Sequence, residues 1–233
     1  MLIRTLIVWT LGLPITAFLF FAVILSLLFS RDGRAAHAIG ALWFGFILKL
    51  SGVRVRVRGA GNIPEGRPVV IMSNHQGAFD IPVLQSCLPL QFRWVAKKSL
   101  FSIPVLGWGM TIAGYIGIDR DNAASAYKSM EEAAEKIKQG VSVLIFPEGT
   151  RSLTGELLPF KKGAFMLASK SGLEILPVAI KGTKDIMKKG SLLITPAKVT
   201  LNIGEPFPAR GRTENELRDM GKKAIEELFN QNG

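Results

Sequence analysis

From Leu6 to Phe29 the chain reads LIVWTLGLPITAFLFFAVILSLLF, 24 residues without a charge. At 1.5 Å rise per residue, a helix of that length can cross the hydrocarbon core of a bilayer. A second apolar run, AAHAIGALWFGFILKL at 35–50, is too short to span with ease. Together they predict a helical hairpin that dips into one leaflet, or crosses once and then lies on the surface. Arg4 and the RDGR of 31–34 bracket the first run, so charge asymmetry gives it no orientation. The run is longer than the apolar region of a secretory leader, and no small-x-small cleavage site follows, which predicts retention. His37 reads as a polar point on the second helix with no chemical role.

Beyond residue 50 the pattern shortens. VRVRVR at 53–58 alternates strictly, with Val53, Val55 and Val57 on one face and Arg54, Arg56 and Arg58 on the other, the signature of a half-buried strand. Its arginines read as a solvated edge, with contact to lipid phosphates as the competing reading. Apolar runs at 68–73, 92–96, 114–118, 141–146, 174–180 and 198–203 predict six further strands. Helical spacing appears at 122–140, stopped by Gly140, and from Thr213, which stands in capping-box register with Glu216. Strands alternating with helices predict an α/β fold: a mixed, largely parallel central sheet flanked by helices over residues 51–233, preceded by the membrane-associated hairpin of residues 1–50.

Charge and composition sharpen this picture. The chain has 233 residues, a net charge of +11 and 48% apolar residues, a combination that suits an anionic membrane surface and argues against nucleic acid as a partner. After residue 50, 25 basic side chains face 17 acidic ones, so the positive excess is not confined to the flanks of the apolar helix. The single cysteine, Cys87, excludes an intrachain disulfide and fits a reducing compartment. Two well-separated histidines and one cysteine do not make an ordinary zinc site.

Candidate chemistry begins at VVIMSNHQGAFDIPVL, residues 69–84, where an apolar strand ends in Asn74 and His75 and Asp80 follows five residues later. Reactive groups in open sheets gather at such strand-to-helix junctions. Asp80, at the start of the next helix, is placed to accept a hydrogen bond from Nδ1 of His75, leaving Nε2 to take a proton. That spacing alone is a weak signal. Two further segments accompany it: GYIGIDR, which ends a strand with Asp119 and Arg120, and FPEGTRS at 146–152, which puts Glu148, Gly149, Thr150 and Arg151 on a loop after a strand.

In order and spacing, His-x4-Asp, Gly-x-x-x-x-Asp-Arg, Phe-Pro-Glu-Gly-Thr-Arg-Ser and the Pro-Val strand at 177–178 resemble the four motifs of the glycerolipid acyltransferase family, most of all its 1-acylglycerol-3-phosphate branch. The likeness covers roughly residues 50–205, with more of it in AKKSL and FKKGAFMLA. It implies transfer of a fatty acyl group from a thioester on acyl carrier protein or coenzyme A to the sn-2 hydroxyl of lysophosphatidic acid, giving phosphatidic acid. No cofactor is implied beyond that co-substrate. His75 is implied as general base and Asp80 as its orienting partner. Arg120, Glu148, Gly149, Thr150 and Arg151 are implied to bind the acceptor, and Lys97 to add positive potential. Glu148 itself repels phosphate, so its expected work is to hold an arginine or accept from a glycerol hydroxyl. Membrane association is implied too, with the catalytic domain on the cytoplasmic face. Two departures stand out: Gly77 occupies the place of the family's usual serine, and Gly117 that of a common bulky aromatic. Two rival readings remain: an acyltransferase for another lysolipid, such as lyso-ornithine lipid or lysocardiolipin, and a non-catalytic membrane-binding protein.

Overall fold

The structure, a computed structural model, describes residues 2–28, 32–119, 123–137 and 140–231. Two apolar helices, α1 (Leu2–Ser26) and α2 (Arg34–Ser51), precede the first strand. The order then runs β1 (Arg54–Arg58), β2 (Val69–Ser73), α3 (Asp80–Cys87), β3 (Phe92–Lys97), α4 (Leu106–Ile112), β4 (Ile116–Ile118), α5 (Ala123–Ile137), β5 (Ser142–Ile145), α6 (Lys162–Ser171), β6 (Glu174–Lys181), β7 (Lys198–Ile203) and α7 (Glu214–Asn230). The seven strands form one sheet in the order β1-β7-β6-β2-β5-β3-β4. Every pairing is parallel except β6 with β7.

Alternation along the central strands divides the core into two layers. Val70 and Met72 of β2, with Val143 and Ile145 of β5, pack under Ala134 of α5, Phe165 of α6 and Leu217 of α7. Val69 and Ile71, with Leu144 and Leu176, face Val83 and Leu84 of α3 and Leu48 of α2. A sheet covered on both faces needs strands that are apolar throughout, and every residue of β2 and β5 is buried. Each fully buried Val, Ile or Leu in such a core contributes on the order of 1.5–3 kcal/mol. At the edge, β1 pairs only with β7. Val53, just before β1, is buried, whereas Val57 near its far end is 37% exposed.

The hairpin is held to this body at several points. Val8 of α1 and Leu48 of α2 belong to the second core layer. Trp9 Nε1 donates to the Leu192 carbonyl at 2.9 Å, and Ile194 N–H donates to Thr5 Oγ1 at 3.0 Å. His37 corrects its sequence reading. It is buried among Phe92, Tyr115 and Gln85, and its carbonyl accepts from Gln85 Nε2 at 3.0 Å. Burial, seconded by the Arg93 charge, lowers the His37 pKa to about 4, so this ring is a neutral strut between hairpin and sheet. The outer side of α1 leaves Leu2, Ile3, Leu6, Phe18 and Phe21 exposed. Among the described helices, α1 alone is long and apolar enough to cross a membrane.

Candidate active site

Because β2 to β6 all run the same way, the loops that follow them collect on one edge of the sheet. The loop after β2 carries His75, the end of β3 carries Lys97, and the loops after β5 and β6 carry Gly149–Arg151 and Thr183.

Asn74 starts the loop that follows β2. Its amide nitrogen donates to the Ile180 carbonyl at 2.9 Å and its oxygen accepts from Ile180 N–H at 2.8 Å. The fully buried side chain thereby pairs with β6 as a backbone unit would, and the main chain is free to turn away. His75 is then gripped by its own backbone. Its N–H donates to Glu148 Oε1 at 2.7 Å and its carbonyl accepts from Ser152 N–H at 2.8 Å.

The imidazole is oriented by two contacts. It stacks on Phe146 with ring centroids 3.9 Å apart and planes 6° from parallel. Nδ1 lies 2.7 Å from Asp80 Oδ2. A carboxylate only accepts, so Nδ1 carries the proton and Nε2 is the nitrogen left for chemistry. Asp80 has no solvent exposure. Its Oδ2 also accepts from the N–H groups of Gln76 at 2.6 Å and Gly77 at 2.9 Å, and its Oδ1 accepts from the Thr183 hydroxyl. Asp80 is also the first residue of α3, where the helix dipole favours a negative charge. These donors compensate the desolvation of the buried anion.

Beside this pair lies a cavity of about 730 Å³ between the hairpin and the α/β domain. Phe20 and Val23 of α1, Ile39 and Trp43 of α2, and Leu106 and Met110 of α4 line its apolar walls, and His75, Lys97, Gly149, Thr150 and Arg151 line its polar part. At the foot of α4 the chain makes a tight turn at Val105, whose φ is 65°, with Leu106 N–H donating to the Pro104 carbonyl at 2.7 Å. This three-residue turn strains a β-branched residue on the cavity wall.

Of the residues singled out from sequence, the structure brings His75 and Asp80 into contact and sets Lys97, Gly149, Thr150 and Arg151 on the same cavity as His75. Arg120 lies outside the described residues. Glu148 requires a correction. It is 2% exposed and does not line the cavity. Its two oxygens accept from His75 N–H and, at 3.0 Å, from Leu158 N–H. Burial pushes its carboxyl up to about 7, against the pull of those two donors. Among the described residues its hydrogen-bond partners are these two backbone N–H groups, and through them it joins the β2 and β5 loops.

Sequence reasoning missed Asn74, Phe146 and Thr183. Phe146 stood inside the quoted FPEGTRS, but only the fold stacks it on His75. Thr183 is 103 residues from Asp80 and has no local signal. Replacing Thr183 by valine, which keeps the shape and removes the hydroxyl, is expected to slow roughly tenfold any reaction in which His75 takes a proton, since one buried hydrogen bond to a charged group contributes about 1.5–3 kcal/mol. Thr183→Ser should restore the rate. Wild-type turnover in the valine variant would show that the hydroxyl has no part in orienting Asp80.

The two glycine departures also have structural causes. A Cβ on Gly77 would lie 2.8 Å from the Thr183 carbonyl oxygen, so the close passage of the β6 loop that brings Thr183 to Asp80 excludes a side chain there. Gly77→Ser is expected to cost roughly 1–3 kcal/mol of stability, the usual penalty for overpacking, measurable as a lower Tm. An unchanged Tm would mean that the 183–184 backbone yields freely. At Gly117 the ring of Phe101 comes within 3.2 Å of where a Cβ would stand, and fills the space of a larger side chain.

Comparison with known proteins fits this geometry. The profile of the family described as Acyltransferase matches residues 54–181, from the start of β1 to the end of β6. The chain belongs to the acyltransferase family. A 1-acyl-sn-glycerol-3-phosphate acyltransferase of Chlamydomonas reinhardtii is 33% identical over 218 residues, 92% of this chain and 65% of that protein. The human 1-acyl-sn-glycerol-3-phosphate acyltransferase alpha is 36% identical over 169 residues, 72% of this chain and 60% of its own. The chain thus spans less than two thirds of the length of several curated relatives. The crystal structure of the 1-acyl-sn-glycerophosphate (LPA) acyltransferase PlsC from Thermotoga maritima superposes with a TM-score of 0.83 and 29% identity, covering 100% of this chain and 97% of that one. The acyltransferase match holds His75, Asp80, Lys97 and the 148–151 loop, whereas α1, α2 and Thr183 fall outside it.

Proposed function

We propose that this chain transfers a fatty acyl group from an acyl thioester, carried by coenzyme A or acyl carrier protein, to the sn-2 hydroxyl of lysophosphatidic acid, forming phosphatidic acid. The observation that carries this reading is His75, held by the buried Asp80, on the wall of an apolar cavity whose polar part holds Lys97 and Arg151. The relatives' names supply the acceptor.

In this reaction His75 Nε2 takes the proton of the acceptor hydroxyl as its oxygen attacks the thioester carbonyl. The C–O bond forms, the tetrahedral oxyanion collapses, the C–S bond breaks, and the imidazolium returns its proton to the departing thiolate. Asp80, fixed by its other donors, stabilises the imidazolium between those two transfers. The thioester is already activated, so alignment of two amphiphiles and one proton relay suffice, without a metal or prosthetic group. Acyl chains lie in the apolar cavity, and Arg151 and Lys97 anchor the acceptor phosphate, the arginine through its planar fork. Because α1 and α2 form part of that cavity, the hairpin both attaches the protein to the membrane and opens the site towards the lipid layer. The domain works at the cytoplasmic surface, where both thioester donors are made.

Purified full-length protein should acylate lysophosphatidic acid in preference to lyso-ornithine lipid and lysocardiolipin when each is supplied with acyl-coenzyme A and with acyl carrier protein thioester. Faster acylation of another lysolipid would keep the reaction and replace the acceptor. Absence of transfer to every acceptor from either donor would end the enzymatic reading.

A further inference from the structure

A second cavity, of about 400 Å³, adjoins the loop that carries His75, and no described residue of the hairpin lines it. Gln76 and Gly77, which directly follow His75, form part of its wall, and Arg151 and Ser152 form another. Leu153 and the stretch after β6, with Lys184, Asp185, Met187, Lys188 and Lys189, complete it. Four cations therefore line one concave surface with a single carboxylate. Lys184 Nζ donates to the Thr154 carbonyl at 2.6 Å. Arg151, Lys188 and Lys189 have no carboxylate within ion-pair distance among the described residues, whereas Arg67, Lys170 and Lys222 each have one. Unpaired like charges gathered in a cleft repel one another and raise the local concentration of anions.

Arg151 lines both cavities. The apolar cavity and the cationic one thus meet at the loop that carries His75, one on the hairpin side and the other away from it. An acyl donor presents its groups in the same order. Its chain is apolar, its thioester is the reacting centre, and beyond the sulfur a long pantetheine arm ends in a 4′-phosphate. The acceptor's phosphate, by contrast, sits only a few bonds from the hydroxyl that reacts at His75, and so belongs near Lys97 and Arg151 in the first cavity.

We propose that the second cavity receives the phosphate end of the phosphopantetheine arm that carries the acyl donor, the group common to coenzyme A and acyl carrier protein. This inference rests on the thioester-transfer reading above and names where the donor's head is held. Lys188 and Lys189 would bind the phosphate, while Lys184 secures the loop that carries them and Arg151 stays with the acceptor at the junction of the two cavities.

The test is the full-length double variant Lys188→Glu/Lys189→Glu, whose exposed positions leave the core intact. KM for acyl-coenzyme A and for acyl carrier protein thioester should each rise about tenfold, the size expected for losing charge-assisted hydrogen bonds to a phosphate. KM for the unphosphorylated donor acyl-pantetheine and for lysophosphatidic acid should stay within about twofold. Calorimetric binding of free coenzyme A to the detergent-solubilised protein should weaken by the same factor. Several results would overturn the assignment. An equal rise with acyl-pantetheine would mean that the lysines do not read the phosphate. An effect confined to acyl carrier protein would place the contact on that protein's surface. A rise in KM for lysophosphatidic acid alone would give the cavity to the acceptor. Weaker binding to anionic vesicles with donor constants unchanged would give it to the membrane. Because coenzyme A binding is read without turnover, it decides this inference even if the wild type fails to acylate lysophosphatidic acid.

Discussion

Replacing His75 by alanine is expected to lower kcat for acyl transfer by roughly 10³-fold, within the 10²–10⁴ range that a positioned general base contributes. The ring's three constraints make the prediction specific. Its Nδ1 is held by Asp80, its face by Phe146, and its backbone by Glu148 and Ser152. Only the first two involve the side chain, and Asp80 keeps its contacts to Gln76, Gly77 and Thr183 when the ring is gone. The variant should therefore retain its fold and its acceptor KM, so that the loss appears in turnover. Steady-state acyl transfer in detergent micelles, with a thermal melt alongside, separates the two. A variant that melts normally and still turns over within tenfold of wild type would remove His75 from the chemistry.

Asp80→Asn should cost on the order of 10²-fold in kcat through loss of the negative charge that stabilises the imidazolium. The amide can keep its oxygen towards His75, Gln76 and Gly77 and turn its nitrogen towards the Thr183 hydroxyl, which also accepts. Geometry and tautomer then persist, and the charge is the only thing removed. Because the two residues act as one unit, combining Asp80→Asn with His75→Ala should be little slower than His75→Ala alone. Full multiplication of the two losses in the double variant would show that Asp80 serves the reaction by some route other than the imidazole.

How legible these features were depends on the separation of the groups involved. Six of the seven strands stood out in the sequence as the apolar runs that a sheet buried on both faces demands, as in the fully buried β2 and β5, and the edge strand β1 by its Val/Arg alternation. Helix α7 was marked by its capping box, which the structure contains at Thr213 and Glu216. Helix α4 gave little signal, since its seven residues include Gly107 and Gly109. Helix α3 was expected to begin at Asp80, as it does, although Pro82 in its first turn and its length of eight residues left its end unmarked. Glu148 was misjudged for a different reason. A carboxylate in a polar loop gives no sign of facing inward until the backbone N–H groups of His75 and Leu158 are placed around it.

The sequence by itself determined the local things. These are the apolar length of α1, the alternation that makes strands, and a histidine and an aspartate five residues apart at a strand-to-helix junction. Each is set by the rise of a helix, the period of a strand or the reach of a short loop. The antiparallel turn of β7 against β6, the Thr183 hydroxyl brought to Asp80 across 103 residues, the use of α1 and α2 as a wall of the site, and the meeting of two cavities at Arg151 were decided only by the tertiary structure. They arise from packing between distant segments, whose partners are chosen by burial and shape across the whole core and are written in no single stretch of chain.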